Sequence, residues 1–218
     1  ADLLANDLQS CENSEGVCAG ATKPASLCQN GAWEACAGAQ YSAHSSDFEA
    51  GSETLCDGLD NDCSGESDED FSVTLLDGSV VSGLGQSCGS GVCAGGLSQC
   101  NVTDDGIQCP TESIATEEIC NGVDDDCDGD VDASDADLLE NDPQNCEFQA
   151  GVCSGATKAV ELCSAGTWQA CDDSDYSIHS AYYEAGTESL CDGYDNDCSG
   201  ETDEAYVNLD QPCDGDDS

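Results

Sequence analysis

CDGLDNDCSGESDE at residues 56–69 returns as CNGVDDDCDGDVDA at residues 120–133 and as CDGYDNDCSGETDE at residues 191–204, so one acidic, cysteine-flanked loop occurs three times. Within the first copy, oxygen-bearing residues alternate at Asp60, Asp62 and Ser64, Gly65 follows, and Asp68 comes three residues later. That spacing wraps a backbone around a hard cation, with the glycine supplying the sharp turn. The ion it predicts is Ca2+, about three per chain.

On the twelve-position scale of an EF-hand loop, the first copy offers Asp60, Asp62, Ser64, the carbonyl of Glu66, and Asp68. The second offers Asp124, Asp126, Asp128, Asp130 and Asp132, and the third Asp195, Asp197, Ser199, Glu201 and Asp203. Position twelve, where a bidentate glutamate is usual, holds Phe71, Asp135 and Tyr206, so only the middle loop keeps an acid there. Glu69 and Glu204, or Asp57 and Asp192, are the candidates to complete the outer shells. Shells of this kind place the sites in the weak, roughly millimolar to tenth-millimolar range of extracellular modules, suited to a structural ion.

Composition gives the loops their importance. The chain has 48 acidic residues against two lysines and no arginine, a formal charge of -46, so compaction is opposed by self-repulsion unless cations bind. Such a surface repels phosphate backbones and acidic membranes, which excludes nucleic acid as a partner. No stretch is apolar enough for membrane insertion or for a signal peptide, and the chain reads as mature and exported. Eleven aromatic residues in 218 and no methionine cannot build one large apolar core. Nineteen cysteines, at a density found in small secreted domains, point to disulfides in its place and to an oxidising, extracellular, secreted or cell-surface location.

Shifting the sequence by 135 aligns residues 1–70 with residues 136–205 without a gap, and 43 of 70 pairs are identical. A shorter stretch between them repeats the same order of six cysteines. The expected organisation is repeat one at residues 1–75, a shorter repeat two at 76–135, repeat three at 136–206, and a partial unit or inter-subunit joint at 207–218. Six cysteines per repeat suggest three bridges inside each, with 15 pairings open. Cys213 is the odd one, and head-to-tail self-association, covalent or not, follows as an expectation. The fold class is small disulfide-rich tandem repeats: mostly irregular loops with short β-hairpins, stabilised by calcium and disulfides. Residues 151–171 of the third repeat, like their counterpart in the first, carry the hairpin signal, and ADLL predicts a helical turn near Asp137.

The pattern E, two residues, C[DN]GxDxDCxGxxD resembles the MopE-type metal-binding motif family of bacterial surface and secreted proteins, and its core is similar to thrombospondin type 3 loops. The resemblance covers all three repeats and implies tandem extracellular modules, and for MopE itself a copper association. Copper would favour nitrogen ligands over the carboxylates that dominate here.

The remaining signals read as structural. His44 and His179 stand one per large repeat without a ligand cluster, Trp33 and Trp168 are expected at the apolar centre of each repeat, and Lys23 and Lys158 are expected to pair with local carboxylates. Every cysteine is expected to be bridged, and no arrangement of nucleophile, base and orienting acid is present, so the chain is not expected to be an enzyme. Two roles remain: a calcium-stabilised structural repeat protein, as a filament subunit or cell-surface stalk or adhesion module, and a metal-scavenging (copper) or carbohydrate-binding surface module.

Overall fold

The computed structural model describes residues 9–206. It has two compact units, one comprising residues up to 115 with 127–129, the other residues 116–126 with 130 onward. The proposed start of a further repeat at Cys213 lies outside the described residues.

Regular structure is sparse, as a chain with this much glycine, serine and aspartate dictates. The described residues form five two-stranded antiparallel sheets. In the first large repeat β1 (Cys28–Gln29) pairs with β2 (Ala32–Trp33), and in the third repeat the strand Cys163–Ser164 pairs with Thr167–Trp168. Each is a tight hairpin whose two turn residues have positive φ, 52° and 82° at Asn30 and Gly31, 52° and 74° at Ala165 and Gly166. This is the turn geometry whose twist matches that of the flanking strands. The middle repeat adds hairpins Ser72–Thr74 with Val80–Ser82, Ser87–Cys88 with Gly96–Leu97, and Gln99–Cys100 with Ile107–Gln108. The helical turn near Asp137 is present as Leu138–Asn141.

The large repeats also contain seven-residue helices that were not expected, Gly38–His44 and Asp173–His179. The second is started by a capping box: the Asp172 carboxylate accepts the N–H of Ser174 at 2.8 Å, and Asp175 accepts that of Asp172 at 2.8 Å. Each helix delivers one tyrosine to a small core. Tyr176 is 1 % exposed among Cys146, Cys153, Ala156 and Cys198, with Phe148 and Tyr183 rings at 5.4 and 5.3 Å. Tyr41 holds the matching place among Cys11, Cys18, Ala21 and Cys63. The centre of each large repeat is therefore a tyrosine wrapped in disulfides. Trp33 and Trp168, expected there, are only half-buried on the hairpins. A phenol fits because its hydroxyl can accept a backbone N–H, that of Asn13 at 3.0 Å and of Phe148 at 2.9 Å.

The bridges follow one rule, and it is not three inside each repeat. The first cysteine of a repeat joins the fourth, as Cys11–Cys36, Cys88–Cys109 and Cys146–Cys171. The second joins the sixth, as Cys18–Cys63, Cys93–Cys127 and Cys153–Cys198. The fifth crosses to the third cysteine of the following repeat, as Cys56–Cys100 and Cys120–Cys163. The crossing arises because the turn that begins at the fifth cysteine packs on the next repeat: the Cys56 N–H donates to the Asp104 carbonyl at 2.8 Å. Cys191 is disulfide-bonded too. Cys28 is a free thiol, contrary to the expectation that every cysteine is bridged.

Lys23 and Lys158 do pair locally. Lys23, only 8 % exposed, contacts Glu12 and donates to the Glu34 carbonyl at 2.8 Å. The hydrogen bond that Lys23 donates to Glu12, with one from the Cys36 N–H, lowers the Glu12 carboxyl to about 2. Lys158 does the same with Glu147 and the Gln169 carbonyl.

Tyr176→Phe removes the acceptor for the Phe148 N–H while keeping the ring. Losing this part-buried hydrogen bond should cost about 0.5–1.5 kcal/mol, read as a Tm lower by a few degrees in thermal unfolding under non-reducing conditions.

Candidate metal centre

Each acidic loop is held by backbone contacts before any ion is considered. In the first loop the Asp60 carboxylate accepts the N–H groups of Ser64 and Gly65, both at 2.9 Å, and Asp62 also accepts from Ser64 at 2.9 Å. The third loop repeats this with Asp195 and Gly200 at 3.0 Å and Asp197 and Ser199 at 3.0 Å. The sixth-cysteine bridge pins the loop to a GVC turn, whose Val17 N–H donates to the Asp60 carbonyl at 3.0 Å. Gly16 makes this approach feasible. Its φ is 50°, and a Cβ there would lie 2.1 Å from the Asp60 carbonyl oxygen; Gly151 meets Asp195 identically.

Glu53, Asp60 and Asp62 bring a carboxylate oxygen each within 4.8 Å of one another, and Asp62, Glu69 and Asp70 form a second, overlapping group. Glu118, Asp124 and Asp126 form the corresponding group in the middle loop. Glu53 is 4 % exposed and Asp60 6 %, and buried oxygens of Glu53 and Glu69 accept no hydrogen bond. In the third loop the same holds for oxygens of Glu188, Asp195 and Glu204. Carboxylates gathered out of water with no donor on these oxygens need a compensating cation. The donors are hard oxygens, which fit Ca2+ and similar ions. The residues present therefore fit a metal, with Glu53, Asp60, Asp62 and Glu69 as its holders in the first loop and Glu188, Asp195, Asp197 and Glu204 in the third.

Electrostatics agrees. Burial raises Glu53 from 4.5 to about 7, with the neighbouring Glu69 and Asp68 charges adding to it. Burial likewise raises Glu118 and Glu188.

Glu53, Glu118 and Glu188 were not among the sequence-predicted ligands. Their signal is the glutamate just before each CDG or CNG turn. Glu53 and Glu188 stand three residues before the cysteine, whereas in the middle repeat Glu118, two before, takes the place, accepting from Asp125 and Asp132 N–H at 2.8 Å each. The ninth-position aspartates, by contrast, hold the turn. Asp68 accepts the N–H groups of Asp57 and Gly58 at 3.0 and 2.9 Å, Asp132 those of Asn121 and Gly122 at 2.8 and 2.9 Å, and Asp203 those of Asp192 and Gly193, both at 3.1 Å. Asp57 and Asp192 cap the same turns through the N–H groups of Leu59 and Tyr194. Ser64 donates to Glu69 at 2.5 Å, orienting that carboxylate. The side chains of Ser199, Glu66, Glu201, Asp128 and Asp130 are exposed, while Asp135 is buried and accepts the Asp137 N–H at 2.8 Å. The histidines lie on the helices, with the Nε2 of His44 2.9 Å from the Ala19 carbonyl and that of His179 3.1 Å from the Ser154 carbonyl.

Three stretches of the chain, residues 45–69, 113–133 and 171–204, match the family model Cu-binding_MopE, described as "Putative metal-binding motif". The chain carries three copies of this motif. Each match takes in one acidic loop with the buried glutamate before it, so the MopE-type resemblance and the carboxylate clusters concern the same residues. No curated protein matches the chain, and no solved structure does. Among the described residues no helix is long and apolar enough to cross a membrane.

Two predictions follow from this geometry. A methyl group at Gly16 would displace Asp60, so Gly16→Ala should lower metal content by one ion per chain and destabilise the first repeat by at least about 1 kcal/mol, checked by elemental analysis and thermal unfolding. The second concerns pH. With Glu53 raised to about 7, protons compete with the ion, and affinity measured by calorimetry should fall as pH drops through 7. For the metal-free chain the sign reverses: a folded-state value above the unfolded 4.5 stabilises fully below 4.5, and that contribution is lost as pH rises through 7. Tm in EGTA should therefore decline from pH 5 to 8, while Tm in calcium rises.

Proposed function

We propose that the chain is an extracellular structural repeat protein in which calcium and disulfides together stiffen successive units, serving as a filament subunit or a cell-surface stalk. The observation that carries this reading is the set of buried carboxylate oxygens without donors, at Glu53 and Glu69 in one loop and at Glu188, Asp195 and Glu204 in another. A cation there neutralises charge that otherwise opposes folding, so its role is to shape the chain. The oxidised cysteines and the gapless duplication support an exported, tandem design.

A copper-scavenging role draws on the name of the matching family model. The carboxylate donors and the histidines placed on separate helices favour the hard ion.

Metal analysis after equilibration with equal calcium and copper separates the two: about three calcium ions per chain support the structural reading, and stoichiometric copper overturns it. EGTA, with disulfides intact, should accelerate proteolysis within the loops about tenfold or more, an opening of about 1.4 kcal/mol. An unchanged cleavage rate would sink a structural role for the ion.

A further inference from the structure

The third cysteine of a repeat is where the preceding repeat attaches. Cys100 receives Cys56, and Cys163 receives Cys120. At the second of these joints the contact is close. A Cβ on Gly166, in the turn of the receiving hairpin, would lie 2.7 Å from the backbone carbon and oxygen of Asn121 and 2.9 Å from the Gly122 nitrogen. Asp142 ties the joint by accepting from Trp168 Nε1 at 2.8 Å and from the Cys120 N–H at 3.4 Å.

The first repeat offers the same receiving hairpin, with no described residue packed against its turn. Cys28 faces Trp33 across the strands as Cys163 faces Trp168. Gly31 is the counterpart of Gly166, and a Cβ there would meet no described atom within 4 Å. Cys28 is a thiol and half-buried, whereas Cys163 is 4 % exposed. In the third repeat, Gly193 is the counterpart of Gly122 in the attaching turn, and a Cβ there would meet no described atom within 4 Å, whereas one on Gly122 would lie 3.5 Å from the Gly166 Cα. One chain thus presents both halves of an interface whose completed form it also contains.

We propose that the Cys28 hairpin is the docking site for the third CDG turn, residues 191–193, of a second copy of this chain, closed by a Cys28–Cys191 disulfide. The proposal rests on the structural reading above and names its joint. Because Cys191 is already disulfide-bonded, closure is thiol–disulfide exchange. The Cys28 thiolate attacks the Cys191 sulfur, the existing S–S bond breaks, and the departing sulfur leaves as a thiolate that takes up the proton lost by Cys28. One disulfide is exchanged for another, and no oxidant is consumed. The interface is heterologous, since different surfaces meet, so joining one hairpin to one turn leaves each copy a hairpin or a turn with which to join another.

Full-length chain incubated in a glutathione redox buffer with calcium, then run on a non-reducing gel, should give a ladder of multimers that collapses on reduction. A peptide map of the dimer should contain Cys28 linked to Cys191. Cys28→Ser should abolish the ladder while leaving monomer Tm and metal content unchanged, because that thiol bonds to nothing in the monomer. Gly31→Asn, a residue that tolerates the left-handed turn, keeps the thiol but places atoms where the incoming turn must sit, and should slow ladder formation at least tenfold. Absence of a ladder, a ladder that persists in Cys28→Ser, or Cys28 paired to an upstream segment of a longer natural chain would each overturn the proposal. Calcium content measured on the same samples keeps the two readings separable: three ions without the Cys28 bond would remove the joint alone.

Discussion

Carboxylates crowded into low-dielectric surroundings are the constraint on which this molecule is built. Glu53, Asp60, Asp62 and Glu69 are brought together by a loop that has no arginine and no lysine to set against them. Their mutual repulsion and desolvation would push the loop open. The backbone opposes this with the N–H groups of Ser64 and Gly65 on Asp60 and of Asp57 and Gly58 on Asp68, which satisfy part of each acid and leave other oxygens of the cluster without donors. A cation held by these carboxylates would complete the set. The disulfide from Cys63 to Cys18 holds the loop in place, so less chain entropy would be lost on binding a cation.

The same economy governs the cores. With little oily surface to bury, each large repeat closes a few apolar groups around one tyrosine and lines them with cystine sulfur. Sulfur packs like a hydrophobe and also restricts the unfolded chain, so a core this small can suffice. The two lysines are placed where each joins a glutamate to a backbone carbonyl, the only positions in the large repeats where a cation is built into the sequence.

The sequence announces the loops, the duplication and the disulfide-rich class, because each rests on spacing and on residue type. Asn30-Gly31 and Ala165-Gly166 mark their hairpins for the same reason. Pairing of cysteines is not written in spacing: Cys56 lies seven residues from Cys63 yet bonds Cys100, and only the packing of the CDG turn on the next repeat selects that partner. Position nine of the loop was misleading because Asp68, Asp132 and Asp203 serve the turn before them, while the cluster is filled from outside the EF-hand frame by Glu53, Glu118 and Glu188. The helix from Asp173 was legible in principle, since Asp172 and Asp175 have the spacing of a capping box. Tyr41 and Tyr176 were hidden because a tryptophan looks the better core residue until the backbone N–H that the hydroxyl accepts is known.

The crossing bridges alter how the chain would bear a pull. Tension entering at Cys56 passes through sulfur to Cys100, and tension entering at Cys120 passes to Cys163, so the intervening 44 and 43 residue steps are bypassed. At about 3.5 Å per residue, each bypass withholds on the order of 150 Å of contour from extension. A peptide bond cut within either bypassed span would not part the strand. The polypeptide is thus threaded alongside a second covalent line, and only reduction would let it unravel.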